Sequence, residues 1–272
     1  MTIDYDGAVA VITGGASGIG RSVALALAGR GADVVVADVH DERLAETESA
    51  IAALGRRALA VHCDVSSDDD VEHLRDETLR VMGRADIVMN NAGVALRGAF
   101  EEIPMADWEW IVGINLLGVV RGCRAFVPHL VERGSGYIVN TASIGGLGGA
   151  IISTPYVSTK HAVVGLSESL SLYLRPKGIG VSVLCPAGVA TNILENLRKA
   201  GSDESMWGRP NEAAGRGGGG SAGMQTAEQV ADLLLAAMDE DRFVVPTFPV
   251  MGAIGKRIEA IERMATPRPS PR

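Results

Sequence analysis

Between Ala8 and Cys185 the chain repeatedly sets short, unbroken apolar runs against longer stretches of helical character. The runs are AVAVIT (8–13), DVVVAD (33–38), RALAVHCDV (57–65), DIVMNNAG (86–93), GYIVNTAS (136–143) and IGVSVLC (179–185). Helical stretches from Ser17 to Arg30, from Asp41 to Leu54 and around 68–82 separate the first four. A strand with one wet face alternates apolar and polar residues. Val- and Ile-rich runs without that alternation suit strands buried on both faces. Helices between such strands imply parallel pairing. The rhythm predicts a doubly wound α/β sheet in three layers, and no linker interrupts the first 185 residues. One domain over residues 1–265 is the expectation. With 47% hydrophobic but only 4% aromatic residues, Ala, Val, Leu and Ile must do most of the packing.

The pattern breaks between Asn192 and Gln225, where GRPNEAAGRGGGGSAG (208–223) cannot build a packed core. So long an irregular stretch predicts a mobile substrate lid over residues 189–225. A helix from Thr226 to Asp239, a short strand RFVVPT (242–247) and a helix at 252–264 follow. TPRPSPR, with residues 266–272 as a disordered tail, ends the chain. A net charge of −8 disfavours nucleic acid and anionic membranes as partners. MTIDYDG does not read as a signal peptide, and no run of eighteen apolar residues predicts a membrane span. Cys63, Cys123 and Cys185 are odd in number and widely spaced, which reads as reduced structural thiols in a cytoplasmic protein.

TGGASGIG (13–20) follows the first strand and opens the first helix. Gly14 allows the sharp turn, Gly18 lets a pyrophosphate approach the backbone, and Gly20 permits close helix–strand packing. Ser17, Ile19 and the helix start add free amides and a positive dipole for phosphates. A glycine-rich turn binding nothing is the competing reading for such a cluster taken alone. Asp38, 18 positions after Gly20 at the end of the second strand, argues against it. A carboxylate there accepts hydrogen bonds from the adenosine ribose hydroxyls and repels a 2′-phosphate, so NAD is preferred to NADP. Asp41 is better placed than Asp38 to cap the next helix. Asp64 could meet an adenine edge or cap a helix, and Val65 could pack on the adenine face.

YVSTK (156–160) sets Tyr156 and Lys160 one turn apart on one helix face. On those five residues alone, an ordinary surface pair is the commoner case. With TGGASGIG, NNAG (90–93), Asn115, Ser143 and YVSTK in order, however, the chain resembles the short-chain dehydrogenase/reductase family over roughly residues 7–250. The resemblance implies a Rossmann-like sheet of about seven parallel strands, a nicotinamide cofactor, and a homotetramer or homodimer built on helices near 107–133 and 155–175. It also implies Tyr156 as general acid/base and Lys160 as the residue that lowers its pKa and binds the nicotinamide ribose. Ser143 is then the group that hydrogen-bonds the substrate oxygen, and Asn115 a helix-interrupting residue holding a water. Asn91, Ala92 and Gly93 would steady the sheet and border the ribose. Pro186, Gly188, Val189 and Thr191 would meet the nicotinamide end, although Ala187 is inserted where many members have Pro-Gly directly.

The chemistry suits those residues. A phenol with pKa near 10 is a poor base, and bringing it to about 7 takes roughly 4 kcal/mol. A cation about 4 Å away at an effective dielectric of 20 supplies about that much. His161, His40, His62, His73 and His129 read as structural. Around the reacting carbon, VALRG (94–98), IGGLGGAIIS (144–153) and the excursion bring Leu96, Ile144, Leu147, Ile151, Ile152, Met206 and Trp207. They predict a small apolar alcohol or ketone as substrate, unless they only pack the excursion. The expected activity is an NAD-dependent oxidoreductase. An NADPH-dependent ketone reductase and a nucleotide-binding regulator without turnover are the alternatives.

Overall fold

The computed structural model describes residues 3–148, 153–189, 193, 197–199, 224–249, 252, 254, 255 and 258. Its strands in chain order are β1 (Val9–Thr13), β2 (Asp33–Asp38), β3 (Ala58–His62), β4 (Ile87–Asn90), β5 (Leu96–Arg97), β6 (Gly136–Thr141), β7 (Ile179–Cys185), β8 (Arg198–Lys199) and β9 (Val244–Pro246). The α-helices are α1 (Gly18–Gly29), α2 (Asp41–Ala53), α3 (Asp68–Met82), α4 (Met105–Val112), α5 (Gly118–Arg133), α6 (Thr154–Leu174) and α7 (Ala227–Asp239). Seven strands form one parallel sheet in the order β3-β2-β1-β4-β6-β7-β9, which is the Rossmann-like arrangement expected. Each apolar run yields a strand at or within its expected bounds, RFVVPT shrinking to Val244–Pro246.

The unbroken apolar runs have a physical cause in two separate cores. Successive strand residues point to opposite faces. Val9 and Val11 join Leu74, Phe126, Leu130 and Val163 on the face covered by α3, α5 and α6. Ala10 and Ile12 join Leu27, Leu44, Ile51 and Leu234 on the face covered by α1, α2 and α7. At roughly 25 cal/mol per Å² of apolar surface, each of the Val, Leu, Ile and Phe side chains among these contributes about 1.5–3 kcal/mol, so a charge introduced on either face is costly.

Some helix starts are also legible. Ser67 accepts from the Asp70 amide at the head of α3, and Thr226 with Gln229 forms a capping box on α7. The expected Asp41 cap is not made. His40 occupies the cap position of α2 without a side-chain bond, and the Asp41 carboxylate instead meets His62 Nδ1 at 2.7 Å. Asp64 does not cap α3 either; its Oδ1 accepts from the Ser66 amide and hydroxyl.

Helices α4 and α5 run on through a π-helical turn, Gly113–Leu117. By length and composition the combined helix Met105–Arg133 is apolar enough to cross a membrane, although charged residues interrupt its apolar stretches. Val119, Cys123, Phe126 and Leu130 bury its inner stripe in the sheet core, which accounts for that apolar character. Residues 252, 254, 255 and 258 are helical. The rest of the 252–264 helix, the 266–272 tail and most of the 189–225 lid, including 208–223, lie outside the described residues.

Candidate active site

The strand order reverses at β1, which has β2 on one side and β4 on the other. In such sheets the crevice outside the carboxyl ends of the strands receives the ligand. Gly14 and Gly18 have positive φ, at 66° and 52°. A Cβ on Gly20 would lie 2.1 Å from the Gly14 carbonyl oxygen, so only glycine lets α1 come this close to the turn. Ser17 sits at the cap position of α1 without a side-chain cap bond, and no acidic residue occupies the first turn. That leaves the amides at the helix start open to an anion. Ile19 is partly buried against the α1 core.

Asp38 ends β2 beside this turn. Its Oδ2 accepts from the Ala16 amide at 3.2 Å, and its Oδ1 from the amides of Val39 at 2.8 Å and His40 at 3.3 Å. A carboxylate has lone pairs beyond these three, so it can still receive hydroxyl donors. Open amides, a close glycine turn and this carboxylate together fit a dinucleotide. Asp64 holds the turn before α3, while the Val65 side chain is buried against Gly118.

After β4, Asn91 bridges three strand ends. Its Nδ2 donates to the carbonyls of Thr13 at 3.1 Å and Gly14 at 3.3 Å, and its Oδ1 accepts from the Thr141 hydroxyl at 3.3 Å. The amides of Asn91 and Ala92 both donate to Thr13 Oγ1. A Cβ on Gly93 would lie 3.2 Å from Asn115 Oδ1 and 3.5 Å from Lys160 Nζ, so the NNAG segment borders both. Asn115 is buried within the π-helical turn. Its amide group accepts from the Val94 N–H at 2.8 Å and donates to the Val94 carbonyl at 3.0 Å.

Tyr156, Ser143 and Lys160 come together beyond β6. Ser153 caps α6 by accepting from the Tyr156 amide, which puts Tyr156 in the first turn and Lys160 one turn later. Ser143 caps the short turn Ile144–Gly146 by accepting from the Gly145 amide at 3.1 Å, and its side chain is near enough to Tyr156 to act on the phenol. A Cβ on Gly146 would lie 2.5 Å from the Lys160 carbonyl oxygen, so that glycine presses the Ser143 turn onto α6. Lys160 Nζ lies 5.7 Å from the Tyr156 ring centroid and donates to the Thr141 carbonyl at 2.9 Å.

The electrostatics differ from the expectation of a phenol lowered by Lys160. Burial pushes the Tyr156 phenol above its ordinary range, and the hydrogen bond with Ser143 opposes this in part. Burial also brings Lys160 down to about 8. At pH 7 it still carries its proton, and the ammonium is directed at the Thr141 carbonyl, with the Tyr156 ring beside it. Cys185, at the end of β7, is pushed up to about 12, chiefly by burial, with Ser143 and Lys160 acting the other way. All three cysteines are free and buried.

The Pro186 carbonyl accepts from the Ile144 amide, Ala187 donates to Thr247 Oγ1, and Val189 bridges to Gln225. Thr191, Ile151, Ile152, Met206 and Trp207 lie outside the described residues. Thr13, Thr141, Ser153 and Gly146 were missed in the sequence. Polar residues inside otherwise apolar strands, and the glycines of IGGLGG, were the available signals.

The chain resembles proteins of known kind over most of its length. It is 34% identical over 242 residues to the probable oxidoreductase EphD of Mycobacterium tuberculosis, covering 88% of this chain but only 40% of that protein. It is 37% identical to 3beta-hydroxysteroid dehydrogenase 2 of Eggerthella lenta, over 71% of this chain and 75% of that one. A Burkholderia phymatum short chain dehydrogenase/reductase in complex with NAD superposes with a TM-score of 0.85 at 34% identity, covering 100% of both chains. A Sphingobium yanoikuyae short-chain dehydrogenase in complex with NADPH does so with a TM-score of 0.78 at 26% identity, over 97% and 98%. The family model for short chain dehydrogenase matches residues 8–202, and with the sheet order and the glycine turn in place, the chain belongs to that family of oxidoreductases.

Proposed function

We propose that this protein is an NAD-linked dehydrogenase interconverting an apolar secondary alcohol and its ketone, with Tyr156 as general acid/base. The observation that carries the reading is the grouping of Tyr156, Ser143 and Lys160 beside the crevice entered by the glycine turn. NAD, when bound, supplies the nicotinamide carbon that accepts or returns the hydride. Gly14 to Gly20 and the start of α1 would hold its pyrophosphate, and Asp38 the adenosine ribose. Lys160 would hold the nicotinamide ribose, and Pro186, Gly188, Val189 and Thr191 the nicotinamide end.

The Ser143 hydroxyl donates to the substrate oxygen, where negative charge builds during reaction. Tyr156 gives its proton to a ketone oxygen or takes one from an alcohol. With burial holding the phenol above its ordinary range, the protein alone keeps Tyr156 protonated at neutral pH. Reduction therefore runs from the resting acid form, and oxidation gains as pH rises. Asn115 holds the water path to Lys160. The same reading carries a cytoplasmic location, one domain over 1–265, and a homotetramer or homodimer. The helix face on which Leu172 and Tyr173 stand exposed is the surface for that assembly.

Asp38 supports NAD, since its charge opposes a 2′-phosphate. The NADPH held by one similar structure supports an NADPH-dependent ketone reductase as the second reading. Initial rates with purified protein, a panel of secondary alcohols and either NAD⁺ or NADP⁺ separate the two. NADH formation with cyclic apolar alcohols, favoured about ten-fold or more over NADPH formation, is the expected result. A strong NADP⁺ preference overturns the Asp38 argument. An inert panel sinks the dehydrogenase reading.

A further inference from the structure

A third apolar cluster stands apart from the two sheet cores. Leu96, Ile103 and Ile111 are buried in it, and Val94, Trp108, Trp110 and Tyr156 pack on it. Aromatics are only 4% of the chain, yet Phe100 adds an edge-to-face contact with Trp108 here, at 6.2 Å. This cluster is the wall behind the Tyr156 ring. Three buried side chains give little area to fix a shape, so its order must come from outside.

Two devices supply it. Asn115 holds both backbone groups of Val94 from one side. From the other, β8 pairs in parallel with β5, setting Leu96 opposite Arg198 and Arg97 opposite Lys199. The Arg198 guanidinium lies 3.8 Å from the Trp110 ring centroid, and its Nη1 is 3.1 Å from Asp107 Oδ1. Arg198 thus ties its own segment to α4 through its side chain and to β5 through its backbone. The ion pair is half exposed, 49% on the arginine side, so by itself it contributes little. Stacking of a planar cation on Trp110, with the fork edge free for a carboxylate, is what arginine provides and lysine does not.

We propose that Arg198 is a positioning residue that holds Trp110 and β5. Through them it holds the wall against which Tyr156 packs, and so it sets how tightly the alcohol is bound beside the phenol. The proposal rests on the dehydrogenase reading and adds to it a determinant of substrate affinity. None of the contacts described for Arg198 reaches the glycine turn or Asp38. Nucleotide affinity is therefore expected to be independent of it.

The test compares wild type, Arg198→Ala and Arg198→Lys with the best alcohol from the panel, alongside NADH titration and thermal melting. Arg198→Ala is expected to raise KM by about five-fold or more, with kcat and the NADH Kd within about two-fold. Arg198→Lys restores the ion pair without the stack and recovers only part of the KM. An unchanged KM in Arg198→Ala, or full rescue by lysine, overturns the proposal. So does parallel loosening of alcohol, nucleotide and Tm, which marks Arg198 as a structural staple. If wild type turns over no alcohol, the dehydrogenase reading fails first, and that result is distinct from an active wild type with an indifferent Arg198→Ala.

Discussion

The two ends of the carboxyl-edge crevice are built from different materials. At the nucleotide end the working parts are backbone: the amides of the glycine turn, the uncapped start of α1, and strand ends tied by Asn91 and Thr13. Among the described residues, Asp38 adds a carboxylate beside that turn. At the substrate end the parts are side chains drawn from distant segments, Leu96, Trp110 and Arg198 among them. The first end inherits its geometry from strand register, which the sheet fixes. The second depends on a few contacts between elements that share no ladder with the sheet. The nucleotide end is therefore intolerant of added atoms, and the substrate end sensitive to removed ones.

Adding one carbon at the nucleotide end is the harshest trial of that contrast. The Cβ of Gly20→Ala would sit 2.1 Å from the Gly14 carbonyl oxygen, and what it meets is backbone, so the turn must move. A loss of NADH affinity of about 100-fold or more is expected by calorimetric titration, against none for Arg198→Ala. A Gly20→Ala protein that binds NADH normally breaks the comparison.

Lys160 sits between the two ends and sharpens it. Its folded pKa is about 8 against an ordinary 10.5. Between those values the unfolded chain binds the proton more tightly than the folded one, so stability rises with pH across that window. Below about 8 both states hold the proton and the full burial cost remains, on the order of 3 kcal/mol. Lys160→Met removes that cost but forfeits the bond to Thr141, worth about 1 kcal/mol. The variant is expected to be inactive and to melt a few degrees higher at pH 7, the gain vanishing between pH 8 and 10.5. A lower Tm at pH 7 would show that Lys160 is held there for the fold.

Much of this was legible in the residues. Continuous apolar runs mark strands because two cores claim alternate side chains, as Val11 and Ile12 show. The family resemblance implied a helix interruption at Asn115, and a π-helical turn stands there. What was not legible depends on neighbours distant in sequence. The upward push on Tyr156 comes from burial at a helix start, and the spacing to Lys160 carries no trace of it. Asp41 prefers His62, brought beside it by the pairing of β2 with β3, to capping its own helix. Arg198 gave no signal, because its two-residue strand exists only through pairing with β5.

Catalysis in this protein is expected to depend on one oxygen atom, that of the Tyr156 phenol. Tyr156→Phe deletes it and leaves the ring that packs against Leu96, Ile103 and Ile111. Measured together on that variant, NADH affinity should stay within about two-fold of wild type while alcohol turnover falls by about a thousand-fold or more. Turnover that stays within about ten-fold of wild type would contradict the central claim.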